Sequence, residues 1–158
     1  WKEAFIKIVE AVLADAARKE VQFDFSYDDL RAAIQKHAPA LEEITTPCLV
    51  HWDAWDPNFF VQDSRISGII DFERALWAEP LMEAQFRAPF LGQGITPSLH
   101  GYDKTSFTFA EEQRNHLYAL HLALVMHTEC FYRSYDTNEV FNVSRHFISV
   151  AMAWLNAN

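Results

Sequence analysis

The sequence has no apolar run of membrane-spanning length, no basic patch and only two cysteines. Its longest apolar runs fall far short of the roughly 18 to 20 residues that cross a bilayer, and no signal-peptide pattern opens the chain. The net charge is −9 and the Lys and Arg residues are dispersed, which argues against a nucleic-acid surface. Cys48 and Cys130 stand in apolar surroundings and are interpreted as free buried thiols. We therefore expect a soluble protein of the reducing cytoplasm.

What the sequence does contain is enough apolar material for one compact domain. Half of its 158 residues are apolar, 15% are aromatic and 22% are charged, which excludes a disordered or fibrous chain. The chain starts at Trp1, without a Met and directly in an amphipathic pattern, so it is expected to be a piece of a longer protein.

Apolar residues recur at helical spacing near both ends of the chain. Residues 1–19 are predicted to form a helix with one buried face. Ser26 and Asp29 resemble a capping box that opens a second helix, which Pro39 should end. Two further helices are predicted over about 111–135 and 138–155.

The middle of the chain is predicted to hold short strands. Leu49 and Val50 read as a buried strand, and residues 59–61 and 66–70 as a hairpin around the polar turn 62–65. Residues 78–109 are punctuated by Pro and Gly and are predicted to be irregular. The fold class is therefore α+β and mostly helical, with a small β-hairpin.

The hairpin register predicts a metal site at its open end. If the turn is centred between Ser64 and Arg65, Asn58 lies directly opposite Asp71. Opposed residues hold their Cβ atoms about 4.5 to 5.5 Å apart, which lets an amide oxygen and a carboxylate oxygen share one Mg²⁺. Asp53 lies on the loop before Asn58, where its carboxylate could accept a proton from a substrate hydroxyl. His51 follows the buried strand and is predicted to brace this loop.

The pattern His51-x-Asp53-x-x-x-x-Asn58, a hairpin and then Ile70-Asp71-Phe72-Glu73 resembles one known family. It is similar to the catalytic loop and metal-binding segment of the aminoglycoside phosphotransferase and choline kinase-like family, which shares the protein-kinase fold. The resemblance implies transfer of a γ-phosphoryl group from ATP or GTP to a hydroxyl of a small molecule. It implies Asp53 as the catalytic base, with Asn58 and Asp71 as Mg²⁺ ligands.

The resemblance covers the chain as a single kinase-like C-terminal lobe, 1–158. Within it, 1–46 matches a helical insert, 47–77 the catalytic loop and metal-binding hairpin, and 78–158 the irregular segment and last helices. Neither a glycine-rich phosphate loop nor a strand lysine occurs in this sequence. The N-terminal nucleotide-binding lobe is therefore absent, and we expect this chain alone to be an inactive fragment whose partner is that lobe.

The roles of several other residues of the pattern are open to more than one interpretation. Trp52 replaces the glycine usual between His and Asp, and Glu79 and Glu83 stand where Asp is commoner. Glu73, Glu79 and Glu83 are possible supporting or substrate residues, and Glu73 either orients the metal or holds the loop. Phe60 and Ile70 either line the floor under adenine or, by default, belong to the core.

Two rival functions stay open. The chain could be a non-catalytic, kinase-derived binding module, or a metal-dependent phosphohydrolase using His51, Asp53 and Asp71 with His100 or Asp103. The acidic composition is a weak hint of a cationic acceptor. The acceptor is expected over an acidic surface made by the loop after Asp71 and the last two helices.

Overall fold

The computed structural model describes residues 1–91, 101–102, 104, 106–133, 135 and 138–158, and these parts are mostly helical. None of the described helices combines the length and apolarity needed to cross a membrane. The helices are α1 (Lys2–Arg18), α2 (Tyr27–His37), α3 (Ala84–Arg87), α4 (Phe109–Arg133) and α5 (Glu139–Ala157). The strands are β1 (Cys48–Val50), β2 (Phe59–Gln62), β3 (Arg65–Ile69) and β4 (Leu76–Ala78). This arrangement confirms the mostly helical α+β class.

The two opening helices are confirmed, together with the signals that bound them. The Asp29 backbone N–H donates to Ser26 Oγ at 3.0 Å, and the Ser26 N–H donates to the Asp29 carboxylate at 3.2 Å, so the capping box is present. Helix α2 ends at His37, and Pro39 lies in the 3₁₀ segment Ala38–Glu43 that follows.

The core is built around α4, which packs against α5 and α1. Leu117, Leu120 and Leu124 of α4 are almost fully buried, as the helical spacing predicts. Phe5 of α1 and Met152 of α5 are also fully buried. The described long helices therefore share one core, with α4 at its centre.

Strand β1 pairs with β4, a strand that the sequence did not predict. Val50 is buried, but Leu49 is 57% exposed and lies opposite Trp77, which is 68% exposed. The prediction of a buried strand is therefore wrong for Leu49. The physical reason is that this two-stranded sheet covers the core with one face and leaves the other to solvent.

The hairpin β2–β3 forms where it was predicted, but its register differs. The turn is centred on Asp63 and Ser64, whose φ angles of 50° and 60° are those of a two-residue type I′ turn. A register shift then occurs between Phe60 and Val61. At the open end the Ile70 N–H donates to the Asn58 backbone oxygen at 3.1 Å. The predicted direct opposition of Asn58 and Asp71 is wrong, because the turn begins one residue earlier and a bulge follows it.

The apolar side chains of the hairpin are exposed, so the default assignment of Phe60 and Ile70 to the core is also wrong. Phe60 is 57% exposed and Ile70 is 45% exposed. No described helix packs on the hairpin in the way that α5 packs on α4.

Candidate active site

The loop after β1 is closed on itself around the backbone of Asp53. The Trp55 N–H donates to the Asp53 backbone oxygen at 3.0 Å, and the Asn58 side-chain amide donates to the same oxygen at 2.9 Å. Among the described residues, this backbone oxygen is the Asp53 atom that accepts hydrogen bonds. The loop therefore fixes the Asp53 backbone and leaves its carboxylate available.

The Glu83 carboxylate holds this loop by accepting hydrogen bonds from its backbone. It accepts backbone N–H bonds from His51 at 2.8 Å, Trp52 at 3.2 Å and Ala54 at 3.3 Å. It also accepts the Ala84 N–H at 2.9 Å, at the start of α3. From sequence alone Glu83 was only a possible supporting or substrate residue, because the loop that it binds lies about thirty residues away along the chain.

His51 connects the loop to the segment that carries Asp71. Its Nε2 lies 2.8 Å from the Ile70 backbone oxygen, and since a carbonyl can only accept, this nitrogen carries the proton. The ring also packs edge-on against Phe72 at 4.5 Å between centroids. These contacts tie the loop to the segment of Asp71, and the bracing role of His51 in catalysis stays a prediction.

Arg87 holds the loop from the core side, and the sequence offered no local signal for it. Its guanidinium is 1% exposed and donates to the backbone oxygens of Trp52 and Met82. Burial lowers the pKa of Arg87 to about 10, while attraction to Glu83 and Asp53 favours its charged form. A positive charge is thereby fixed near the Asp53 carboxylate.

Asn58 and Asp71 carry oxygen atoms that suit a hard cation, although they are not directly opposed. The Asn58 amide nitrogen is engaged by Asp53, which leaves its Oδ1 to face other partners. Asp71 is exposed and has a left-handed φ of 66°, so the chain turns there and strand alternation does not continue through it. An amide oxygen and a carboxylate oxygen form a donor set that fits Mg²⁺. Their sharing of one ion stays a prediction.

A cavity of about 480 Å³ opens beside Asp53. The loop contributes Trp52 and Trp55 to its wall, and the rest comes mainly from α3, α4 and α5. The last two helices therefore border the loop of Asp53, and the place of the acceptor stays a prediction.

Glu79 and Glu73 lie in contrasting places. Glu79 is 4% exposed, and its two carboxylate oxygens share the single Nε–H of Arg114, with both distances 3.0 Å. The Tyr118 hydroxyl also donates to this carboxylate. Burial raises the pKa of Glu79 against the lowering effect of these partners. This buried ion pair makes Glu79 part of the core and removes it from any surface that a substrate could touch. The Glu73 side chain is 64% exposed and lies 3.8 Å from the Arg74 guanidinium.

Of the residues proposed for the phosphohydrolase alternative, the structure describes His51, Asp53 and Asp71. His100 and Asp103 lie outside the described residues. Among the residues that are described, no group of three His, Cys, Asp or Glu side chains could hold a metal ion.

Comparison with known proteins gives one match. The model of the phosphotransferase enzyme family (APH) matches residues 5–86, about half of the chain. The chain belongs to this family. No curated protein and no solved structure matches it.

Membership of the phosphotransferase enzyme family confirms the predicted resemblance and makes the chain, in general terms, a phosphotransferase. The matched region contains Asp53, Asn58 and Asp71 and ends at Phe86. Helices α4 and α5 lie beyond it, so the family match says nothing about much of the wall of the cavity beside Asp53.

Proposed function

We propose that this chain is the kinase-like C-terminal lobe of an enzyme that transfers the γ-phosphoryl group of ATP or GTP to a hydroxyl of a small molecule. The observation that carries the proposal is the hydrogen bond from His51 to Ile70, 2.8 Å long. It joins the loop of Asp53 to the residue directly before Asp71. Family membership supports the reaction class.

In this proposal Asp53 accepts the proton of the acceptor hydroxyl or orients that hydroxyl for attack. Phosphoryl transfer depends mainly on positioning and on electrostatic stabilisation, so a rigid loop matters as much as the carboxylate. The hydrogen bonds that the Glu83 carboxylate accepts and the Arg87 guanidinium donates supply that rigidity from two sides.

The Asn58 Oδ1 and the Asp71 carboxylate would hold Mg²⁺, which when bound neutralises phosphate charge. Glu73 is exposed next to Asp71 and would support this end of the site. His51 keeps the two segments in register through its bond to Ile70.

We also propose that the exposed face of the hairpin meets the nucleotide and the first lobe of the enzyme. Contiguous exposed apolar surface marks binding sites in soluble proteins. Phe60 and Ile70 would form the floor under the nucleotide base, and their exposure supports this assignment over a core role. The nucleotide would come from the cytoplasmic pool, where we expect the enzyme to act.

The test is a comparison of Asp53→Asn, Asp71→Ala and Asp56→Asn in the full-length protein that carries this chain. Asp53→Asn should lower kcat about 10² to 10⁴-fold with little change in KM for ATP, because it removes a general base. Asp71→Ala should weaken Mg-ATP binding as well, since it deletes a charged ligand. Asp56, an exposed carboxylate of the same loop, is the matched control and should keep normal turnover.

Near-normal turnover of Asp53→Asn would exclude Asp53 as the base. If the wild-type full-length protein binds Mg-ATP and candidate acceptors but transfers no phosphoryl group, the binding-module alternative is favoured.

A further inference from the structure

The wall of the cavity beside Asp53 is mostly apolar. Trp52 and Trp55 form its loop side, and Ala84, Ala88 and Leu91 contribute from the segment around α3. The two long helices supply further apolar side chains: Leu122, Met126, Val140, Val143 and Phe147. Its volume of about 480 Å³ falls within the roughly 300 to 1,000 Å³ of small-molecule sites.

The charged side chains of this wall are already balanced. Arg74 donates to the Glu129 carboxylate at 2.6 Å, and Arg133 lies 3.7 Å from the same carboxylate. Arg87 is buried and donates to two backbone oxygens. Of the described charged residues that line this cavity, Asp53 alone has a carboxylate that accepts no side-chain hydrogen bond.

This balance decides which acceptor the cavity can take. An ammonium group that enters an apolar cavity loses its water, and this loss is compensated only by a paired carboxylate. A polycation would find one such carboxylate, and the transfer reaction itself requires that group. The net charge of −9 is therefore located mostly outside this wall.

We propose that the acceptor is a neutral alcohol with a compact apolar body. The inference rests on the proposed function and names its substrate class. The hydroxyl lies at Asp53 and the hydrocarbon body lies against Met126, Val143 and Phe147. As the acceptor oxygen bonds to the γ-phosphorus, the bond from that phosphorus to the nucleoside diphosphate breaks, and the hydroxyl proton passes to Asp53.

The experiment uses the three methionines as reporters. Met126 lines the cavity, whereas Met82 and Met152 are fully buried in the core. With ¹³C-methyl methionine, menthol should shift the Met126 signal and leave the other two unchanged. Menthyl methyl ether, which lacks the hydroxyl proton, should bind more weakly, and the polycationic aminoglycoside neamine should leave Met126 unshifted. Met126→Leu assigns the signal.

Two tryptophan variants test the place of binding. Trp55→Ala should weaken menthol binding about fivefold, because an aromatic wall is lost from the rim of the cavity. Trp55 is 53% exposed, so its removal leaves the core intact. Trp77→Ala is the matched control, since Trp77 is an exposed tryptophan of β4 that does not line the cavity.

The inference is overturned if menthol leaves Met126 unshifted, or if neamine shifts it at concentrations where menthol does not. Transfer assays on the full-length enzyme separate this result from the proposed function. Phosphorylation of neamine would keep the function and reject the neutral acceptor. If menthol binds but the enzyme phosphorylates neither menthol nor any other acceptor, the proposed function is rejected. The inference that the cavity binds a neutral alcohol is then retained.

Discussion

Trp52 has a left-handed backbone conformation that bulky side chains rarely adopt. Its φ is 72°, and a non-glycine residue in such a region costs about 1 to 3 kcal/mol. The surroundings offset this cost. The side chain is 4% exposed, and the guanidinium groups of Arg74 and Arg87 lie 5.1 Å and 4.7 Å from its ring centroid. The tryptophan that departs from the expected glycine is therefore a packing residue whose strain the core accepts.

The strain at Trp52 predicts that glycine is tolerated better than alanine at this position, the reverse of the usual order of stability. Both Trp52→Ala and Trp52→Gly delete the packing and should destabilise the protein by about 3 kcal/mol or more. Trp52→Gly should be the more stable of the two by about 1 kcal/mol, because glycine adopts positive φ freely. Ala14→Gly on the exposed face of α1 is the control and should show the usual loss. Denaturant midpoints measure all three, and equal midpoints for the Trp52 variants would contradict the strain.

At the scale of elements, the loop of Asp53 is held from the start of α3 as well as by its own hydrogen bonds. The Glu83 carboxylate at the start of α3 accepts four backbone N–H bonds, three of them from the loop. Hydrogen bonds to a charged acceptor contribute about 1.5 to 3 kcal/mol, more than neutral ones. The position of Asp53 therefore depends on a residue about thirty positions further along the chain.

Glu83→Gln should lower both stability and turnover. A glutamine places an NH₂ group against one pair of these backbone donors, so we expect a loss of about 2 to 3 kcal/mol in the free energy of unfolding. If the proposed function holds, kcat of the full-length protein should fall while KM for ATP changes little, because the proposed metal ligands Asn58 and Asp71 are retained. Glu3→Gln, on an exposed part of α1, is the control. Unchanged kcat in a destabilised Glu83→Gln would show that the loop keeps its geometry without this carboxylate.

For the hairpin, the strands could be predicted from the sequence but their register could not. Its strands were predicted because short apolar runs flank a polar turn, a local signal. Its register was not predicted, since Asp63 and Ser64 form the turn and the register shifts between Phe60 and Val61, which leaves Ser67 unpaired. Both features depend on local backbone energies that differ little between neighbouring alternatives. Strand β4 was missed because three residues that pair across a long interval give no periodic signal.

At the scale of the whole molecule, the site divides into a local part and a tertiary part. The residues of the motif around Asp53 could be predicted, because they lie within a short stretch with characteristic spacing. Glu83 and Arg87 act on this stretch from about thirty residues away, and only folding brings them there. The neutral cavity could not be predicted either, since the Arg74–Glu129 pair joins distant segments. Composition suggested a cationic acceptor, whereas the paired charges favour a neutral one.

Buried histidines make the whole fold sensitive to acid. Burial lowers the pKa of His121 to about 3, assisted by Arg87 and Arg74, and lowers that of His116 to about 4, assisted by His37. Both rings pack against aromatic neighbours: Trp52 and Phe5 for His121, Trp154 for His116. In the unfolded chain a histidine has a pKa near 6.5. The unfolded state therefore binds protons at a pH where these two folded side chains remain neutral.

The lowered pKa values of His121 and His116 make the protein less stable as the pH falls. Above about pH 6.5 these histidines are neutral in both states and contribute nothing; as the pH falls toward 4, the unfolded state gains protons and the free energy of unfolding decreases. His121→Phe keeps the aromatic packing and removes the unpartnered buried Nδ1. Urea unfolding at pH 7.5 and 5.0 should show a smaller loss for this variant than for wild type. His146→Gln, at an exposed position of α5, should leave the loss unchanged. Equal losses for His121→Phe and wild type would mean that His121 is protonated in the folded protein.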